Sequence, residues 1–184
     1  MDENYRSDVY HWLIDRYDNR GEALYMLCTG FVAITVNGLA AYFLKHPLLF
    51  PSLSPTVFML FRQPLGKDCC PRNVLIGHLL ALCVGLAILY IFGLQNQPSV
   101  LQEGVTFPRI WAASLSVAVT EALLLLIRRP HTPAGTTTLL VSLGLFTTSS
   151  QLVSLMAGVV ILVVVGWIIN RSLGVKVPLW GPKD

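Results

Sequence analysis

Charge is scarce in this chain of 184 residues: Asp, Glu, Lys and Arg together make up 12% of it, while 54% of the residues are hydrophobic. Soluble domains carry about 25% charged residues, roughly twice as many. Several apolar runs that are long enough to cross a bilayer lie between the few charges. The composition therefore excludes a soluble protein and predicts an all-α integral membrane protein with a single membrane domain, surrounded by the lipid bilayer.

Patterns that the chain lacks exclude other classes of protein. Residues 1–22 contain six acidic side chains and no cationic stretch ahead of an apolar core, so we predict neither a signal peptide nor a transit peptide. The four cysteines and four histidines do not have the spacing of a metal site, and no nucleotide-binding motif occurs, so no cofactor is expected. The net charge of +3 is spread over the ends of the apolar runs, which predicts no nucleic-acid partner.

The apolar sequence is divided into four full membrane spans and two interrupted segments. The full spans are predicted at 24–44, 74–94, 110–127 and 151–170. The interrupted segments lie at 48–61 and 128–148, between the full spans. In the second of them two prolines prevent helix at the start, and helix becomes possible from Gly135 onward.

The first interrupted segment contains two prolines, which make a continuous helix improbable. We predict an extended stretch over 48–54 and a half-helix over 55–61, with Ser54 as its N-cap and Pro55 in its first turn. At about 3.1 Å per extended residue and about 1.5 Å per helical residue, the segment reaches roughly 32 Å. That length is enough to cross a hydrocarbon core of about 30 Å.

The chain matches itself without a gap when it is shifted by 81 residues. The matched pairs include Thr56 and Thr137, Gly77 and Gly158, and Gly85 and Gly166. The order of full span, broken segment and glycine-spaced span also recurs in register. We therefore predict two three-segment repeats, each with one broken half-helix segment between two full transmembrane helices.

The positions of the cations test whether the broken segments cross the membrane. With six crossings and both termini cytoplasmic, 11 Lys and Arg side chains lie inside and 2 lie outside. If both broken segments turned back instead, the split would be 7 to 6. The positive-inside rule favours six crossings, and three crossings per repeat make the two repeats inverted.

This topology divides the chain into five parts. They are an N-terminal interfacial amphipathic helix at 1–22, a first transmembrane repeat at 23–94, an extracytoplasmic loop at 95–109, a second transmembrane repeat at 110–170 and a cytoplasmic tail at 171–184. The first helix, predicted over 5–20, suits either the headgroup layer or a docking place on the protein's own rim. The expected location is the bacterial inner (plasma) membrane, with a plastid or thylakoid-type membrane as the alternative.

Inversion brings the starts of both half-helices to the middle of the membrane, where they face each other. A helix start carries a partial positive charge and free N–H groups, both of which attract anions. Transporters bind small anions between discontinuous segments in this way. The candidate substrate-binding residues are Ser54, Pro55, Thr56, Gly135, Thr136 and Thr137.

Five further residues are candidates for proton coupling, gating or anion attraction. Glu121 is the one acid inside a predicted full span, and His78 lies at a similar predicted depth, so each is a candidate for proton coupling. The alternative for Glu121 is a structural contact with His78, and the alternative for His78 is a bond to a backbone carbonyl at a helix crossing. His131 is a candidate gate, or else an interfacial side chain. Arg128 and Arg129 form a candidate funnel for anions, or else serve only as topology signals.

Three pieces of the chain resemble the HPP family of membrane proteins, named for a His-Pro-Pro motif. They are Phe-Pro-Ser-Leu-Ser at 50–54, Pro-Arg-Asn-Val with Gly-His-Leu at 71–79, and His-Thr-Pro-Ala-Gly-Thr-Thr at 131–137. Some members of that family are described as nitrite transporters of cyanobacterial and plastid membranes. The resemblance therefore implies transport of a small anion, with nitrite as the first candidate. The chain departs from the family's pattern at Thr132, at Ser54 and Pro55, and at Ile76.

The leading hypothesis is a membrane transporter of a small inorganic anion, driven by a gradient if transport is active. The alternative is a non-transporting membrane scaffold or regulatory subunit, which would have a sealed interface between the repeats. An enzyme is not expected, because only Glu121 and His78 offer parts of a catalytic constellation. The small-residue faces suit packing within one chain as well as between copies, which leaves a homo-oligomer open.

Overall fold

The computed structural model describes residues 8–181, and within that range the chain is all-helical, with eight α-helices and no strand. The four long helices are α2 (Asn19–Leu44), α4 (Pro71–Ile91), α6 (Phe107–Leu126) and α8 (Ser149–Ser172). The four short helices are α1 (Val9–Tyr17), α3 (Leu53–Arg62), α5 (Val100–Glu103) and α7 (Ala134–Ser142). Each long helix is apolar and long enough to cross a membrane, as predicted for the four full spans.

The long helices begin two to five residues before the apolar runs that predicted them, whereas α4 and α6 end three residues and one residue before the predicted ends. Apolar runs mark only the part of a helix that lipid surrounds, whereas polar residues and caps set its ends. At the start of α8, Thr148 and Gln151 form a capping box in which Gln151 Oε1 accepts from the Thr148 N–H at 3.1 Å. The predicted domain boundaries at 22/23, 109/110 and 170/171 fall inside α2, α6 and α8.

Helix α1 corresponds to the predicted interfacial helix, and it packs on the rest of the chain. The Tyr10 hydroxyl donates to the backbone carbonyl of Arg62 at 2.7 Å, while Trp12 on another face stays exposed. One face of α1 therefore packs on the protein, which fits the docking alternative, while a position in the headgroup layer stays a prediction. Residues 5–7 of the predicted helix lie outside the described residues.

The prediction for the first broken segment is wrong about where its helix begins. Helix α3 starts at Leu53, two residues before Pro55, because the chain already turns at Ser52, whose φ of −70° and ψ of −12° are helical. Ser52 and not Ser54 is therefore the N-cap residue. Pro55 becomes the third residue of the helix, where its missing N–H costs nothing because first-turn N–H groups lack intrahelical partners.

Helix α7 is of similar length to α3 and begins within one residue of the predicted start. Pro133 precedes it with helical φ and ψ of −59° and −18°. The helix is ended by Gly144, whose φ of +77° lies in the left-handed region that favours glycine. Both short helices, with ten and nine residues, are much shorter than a bilayer is thick.

The helices recur along the chain at the spacing of 81 residues. Adding 81 to the bounds of α3 gives 134–143, against Ala134–Ser142 for α7. Adding 81 to the bounds of α4 gives 152–172, against Ser149–Ser172 for α8. The self-similarity of the sequence is thus matched by a self-similarity of the helix boundaries.

The close contacts between helices recur at the same spacing, with the halves exchanged. Gly77 on α4 lies against His131, and Gly158 on α8 lies against Phe50, which is 81 residues before His131. A Cβ atom would lie 2.8 Å from His131 Cβ at Gly77, and 2.9 Å from Phe50 Cε1 at Gly158. The pairs Gly85 with Val141 and Gly166 with Leu60 follow the same rule. Helix α4 therefore packs on α7, and its equivalent α8 packs on α3, so each contacts the short helix of the other half.

The cations of the described residues collect at one end of the bundle. That end carries Arg16, Arg20, Arg62, Lys67, Arg72, Arg128, Arg129, Arg171 and Lys176, and the opposite end carries Lys45 and Arg109. Arg6 and Lys183 lie outside the described residues. The prediction that Arg109 belongs to a loop is wrong, because Arg109 lies in the first turn of α6 and is 0% exposed. It is buried because the turn 97–98 and the end of α7 surround it with carbonyl groups.

Candidate functional site: a buried histidine and threonine cluster

Four of the side chains singled out in the sequence meet in one buried polar cluster. Thr56, His78, His131 and Thr137 are each 0–1% exposed. His78 lies at the centre, with its Nδ1 2.7 Å from Thr137 Oγ1 and its Nε2 3.2 Å from Thr56 Oγ1. The same Nε2 is 3.2 Å from Nε2 of His131. We call these four residues the His78 cluster.

The partners of the cluster define which nitrogen of each histidine carries a proton. His131 Nδ1 lies 2.9 Å from the Asp68 carbonyl, which only accepts, so this nitrogen is the donor and His131 Nε2 is free to accept. The Thr56 hydroxyl already donates to the Ser52 carbonyl at 2.9 Å. His78 Nε2–H therefore donates towards His131 and Thr56, and the Thr137 hydroxyl donates to His78 Nδ1. Every polar group of the cluster has a partner in this neutral arrangement.

The elements that position the cluster come from both halves of the chain. Thr56 and Thr137 are the fourth residues of α3 and α7 and are 81 residues apart, so His78 bridges equivalent positions on the two short helices. Gly77 lets His131 approach α4 closely, since any Cβ there would overlap it. Neither histidine has a histidine at the equivalent position, where the chain has Val159 and Phe50.

The expectation of free backbone N–H groups at the two helix starts is wrong. In α3 the N–H groups of Leu53 and Ser54 donate to the carbonyls three residues earlier, at 3.1 and 3.3 Å. In α7 the N–H groups of Ala134, Gly135 and Thr136 do the same, at 3.0 to 3.2 Å. A tight turn that contains proline precedes each helix and bonds residue i to residue i−3. Its carbonyls accept the N–H groups that would otherwise be free. The hydrogen-bond donors that remain at this place are therefore side chains.

Glu121 lies beside the start of α7 and not beside His78. A Cβ atom on Gly135 would be 2.8 Å from Glu121 Oε1, so the carboxylate is in close contact with the backbone of α7. The partners of His78 are Thr56, Thr137 and His131, which rules out the direct contact between Glu121 and His78 offered above as the alternative. Glu121 is half-buried.

The remaining candidates for substrate contact lie away from the cluster. Ser54 is exposed and lines a surface groove of about 580 Å³ together with Gly30 and Val57. Pro55 and Thr136 are half-buried at the starts of their helices. The structure therefore brings together the hydroxyls of Thr56 and Thr137, whereas Ser54 faces outwards from the bundle.

The two arginines after α6 differ in their surroundings. Arg128 is exposed at a φ of +56°, and Arg129 is half-buried and donates to Asn73 Oδ1 at 3.3 Å. Asn73 lies on α4 close to the loop that holds Asp68, whose carbonyl binds His131. Burial raises the pKa of the Asp68 carboxyl above its ordinary value. The cationic end of the bundle is thus joined to the His78 cluster through this loop.

Sequence reasoning missed a second row of buried polar groups, between α6 and α7. The Ser116 hydroxyl donates to the Ser142 hydroxyl at 3.0 Å, and Arg109 donates to the Ser142 carbonyl at 3.1 Å. Thr120 and Thr138 are 0% exposed, and their hydroxyl oxygens have no partner among the described residues. The signal was present, because the hydroxyl residues of α6 and of α7 recur four residues apart and so share a helix face.

Comparisons with known proteins give one family match. A family model described as HPP, transmembrane region, matches residues 16–178. No curated protein and no solved structure matches the chain. Within residues 8–181, no group of three or more His, Cys, Asp or Glu side chains is arranged to hold a metal ion.

Proposed function

Because the chain belongs to the HPP transmembrane family, we propose that it carries a small inorganic anion across a membrane, with nitrite as the first candidate substrate. The family name suggests membrane transport. Nitrite is the candidate substrate because some proteins of the family that the chain resembles are described as nitrite transporters. The anion passes the His78 cluster, where the first turns of α3 and α7 meet. No enzymatic activity forms part of the proposal.

The observation that carries the proposal is the burial of the His78 cluster inside an apolar bundle. Polar and ionisable groups within membrane segments are costly, and for that reason they mark transport sites. The donors around the cluster are two hydroxyls and the His78 Nε2–H, and each of them can turn to an anion. Hydrogen bonds to a charged acceptor are roughly twice as strong as neutral ones. The donors would therefore exchange their present partners for an anion that enters the cluster.

The symmetry of the contacts supports an inverted arrangement of the two halves. The cations of the described residues divide nine to two between the ends of the bundle, as the positive-inside rule requires when both broken segments cross. In that topology both termini are cytoplasmic, the cationic end faces the cytoplasm, and α3 and α7 start near the middle of the membrane. The bacterial inner membrane is the proposed location.

Proton coupling is assigned to Glu121, with His78 and His131 as its gate. A carboxylate beside the start of α7 opposes an anion by its charge until it takes up a proton. Protonation and anion entry are then coupled, so a proton gradient directed inwards, like the anion flux, drives uptake. Arg128 and Arg129 attract anions to the cationic end.

A non-transporting scaffold is the second candidate function, and the closure of the His78 cluster favours it. All four side chains are 0–1% exposed, so water does not reach them in this conformation. For a transporter this is an occluded state of an alternating cycle. For a scaffold it is the one stable state, and the cluster serves only to fix the packing of α4 between the short helices.

Flux into proteoliposomes containing the purified protein tests the proposal. Nitrite is compared with nitrate, chloride, formate and bicarbonate, each with and without a pH gradient. We expect saturable nitrite uptake that an inwardly directed proton gradient accelerates. Saturable flux of another anion would replace nitrite as the substrate and leave the proposed mechanism unchanged. Folded protein that carries none of the five anions would contradict transport and leave the scaffold function.

A further inference from the structure

Arg109 is a buried cation that has no acidic side chain within 4.0 Å among residues 8–181. Its guanidinium donates to the carbonyls of Ser142, Gln97 and Pro98, and its Nε has no partner among the described residues. Among those residues the ion pairs within 4.0 Å join His11 to Asp8 and Arg62 to Glu22, and neither involves Arg109. Glu103 acts on Arg109 only from beyond that distance. Carbonyl dipoles offset part of the cost of burying this charge, and an anion would offset the rest.

A row of hydroxyls leads from Arg109 into the bundle between α6 and α7. The bond between Ser116 and Ser142 fixes the antiparallel register of the two helices. Thr120 lies four residues after Ser116, and Thr138 lies four residues before Ser142, so the two threonines share the next level of the seam. Both are fully buried, and within residues 8–181 neither hydroxyl oxygen has a hydrogen-bond partner.

The seam between α6 and α7 is closed at each end by a glycine beside a charge. Gly144 lies against the Arg109 guanidinium, where a Cβ atom would be 2.8 Å from Nη2. Gly135 lies against Glu121 at the other end, as described above. Twelve residues of α6 separate the two charged residues, which corresponds to about 18 Å along the helix. The row therefore covers more than half of a hydrocarbon core of about 30 Å.

Unpartnered hydroxyls at two facing positions are hard to explain by packing alone. A buried hydroxyl without a hydrogen bond destabilises a fold, whereas valine of the same shape would not. Hydroxyls that lack a partner in the closed state are free to contact a species that passes through the seam. An anion fits because the entrance is a cation and the lining consists of donors.

We propose that the α6–α7 seam is the route of the anion between the extracytoplasmic side and the His78 cluster, with Arg109 as its first binding residue and Thr120 and Thr138 as its lining. This inference rests on the proposed function and adds the path to it. The anion class is a small monovalent species, since the seam offers one cation and single hydroxyls. Separation of α7 from α6 opens the route. Gly135 and Gly144, which have no side chains, allow the α7 segment to pack closely against α6 again.

The double variant Thr120→Val/Thr138→Val tests the route, with Thr35→Val on the exposed face of α2 as the matched control. If the hydroxyls only fill space, removing them leaves the melting temperature unchanged or higher and leaves flux unchanged. If they line the route, the melting temperature behaves in the same way but nitrite flux falls at least about tenfold, because hydrogen bonds to a charged species are lost. Flux equal to that of the wild type in the folded double variant would overturn the inference.

The sidedness of Arg109→Lys gives a second test. The lysine keeps the charge but loses the planar fork that binds several acceptors at once. We expect a higher KM for nitrite supplied from the extracytoplasmic side, a smaller change in kcat, and little change in KM from the cytoplasmic side. An equal change from both sides would contradict an entrance at Arg109. Wild-type protein without flux would instead contradict the proposed function itself, so the two failures are distinguishable.

Discussion

At the scale of single residues, one imidazole connects both halves of the chain. His78 bonds Thr56 and Thr137, which occupy equivalent positions on α3 and α7, and it also contacts His131. A small rotation of His78 would therefore break contacts to two helices at once. In the proposed transporter, an anion that binds at His78 would therefore change contacts to both short helices.

Glu121→Gln is expected to remove the response of flux to a proton gradient. Glutamine keeps the shape beside Gly135 but takes up no proton, so nitrite flux becomes independent of pH between about 5 and 8. The melting temperature should stay within about 2 °C of the wild type, since the carboxylate forms no ion pair within the described residues. The measurement is initial nitrite flux against pH.

Asp15→Asn, which changes an exposed acid on α1, is the control for Glu121→Gln. It should keep the pH dependence of the wild type. An unchanged pH profile in folded Glu121→Gln protein would remove Glu121 from the mechanism.

The sequence identified the members of the His78 cluster but not their connections. Thr56 and Thr137 stood out because they recur at 81 residues, and His78 and His131 because histidine is rare in apolar sequence. Arg109 was misplaced for a physical reason. A cation at the end of an apolar run has the same pattern whether its side chain reaches water or bends inwards to carbonyl groups, and only the neighbouring turn 97–98 decides between the two.

At the scale of elements, glycine contacts hold α4 and α8 against the broken segment of the other half. Gly77 and Gly158 form these contacts in exchanged positions. The sequence predicted the long helices well, because length and hydropathy are local properties. It predicted the start of α7 to within one residue but that of α3 two residues late, because the turn at Ser52 depends on carbonyls that the preceding residues supply.

Gly77→Ala is expected to displace His131 and to destabilise the fold. The new Cβ would lie 2.8 Å from His131 Cβ and 3.0 Å from its Cδ2, so the helix or the loop must move. Overpacking of this kind costs about 1–3 kcal/mol. For a chain of this length that lowers the melting temperature by roughly 2–10 °C, which thermal unfolding in detergent would measure.

Gly38→Ala on α2 is the matched control for Gly77→Ala. Its Cβ would meet Leu49 Cδ1 at an ordinary 3.5 Å. Alanine is favoured over glycine in a helix by about 0.5–1 kcal/mol, so Gly38→Ala should raise the melting temperature or leave it unchanged. Equal effects of the two substitutions would show that the close approach of His131 does not constrain α4.

At the scale of the whole molecule, the proposed topology rests on two short segments that cross. Four introduced cysteines test it, namely His46→Cys and Gln63→Cys around α3, and Thr132→Cys and Ser149→Cys around α7, all at exposed positions. With six crossings, a membrane-impermeant maleimide labels 63 and 132 from one side and 46 and 149 from the other. Labelling of 46 and 63 from the same side would mean that the α3 segment turns back.

The native cysteines give little background in this experiment. Burial raises the pKa of the Cys69 thiol to about 12 and also raises that of Cys70, so neither forms the reactive thiolate at pH 7 to 8. Cys28 and Cys83 lie on outward faces of α2 and α4, within spans that an aqueous reagent does not enter in the proposed topology. The unmodified protein should therefore remain unlabelled unless it is unfolded.

The most direct test of the account is nitrite flux in two paired variants of the His78 cluster. Thr56→Ser/Thr137→Ser keeps both hydroxyls, whereas Thr56→Val/Thr137→Val keeps the shape and removes them. The account predicts that the serine pair retains flux of the same order as the wild type. It predicts that the folded valine pair loses at least about 100-fold, since two hydrogen bonds to a charged substrate are worth about 3 kcal/mol or more. Flux in the folded valine pair equal to that of the serine pair would contradict the claim that the anion passes this cluster.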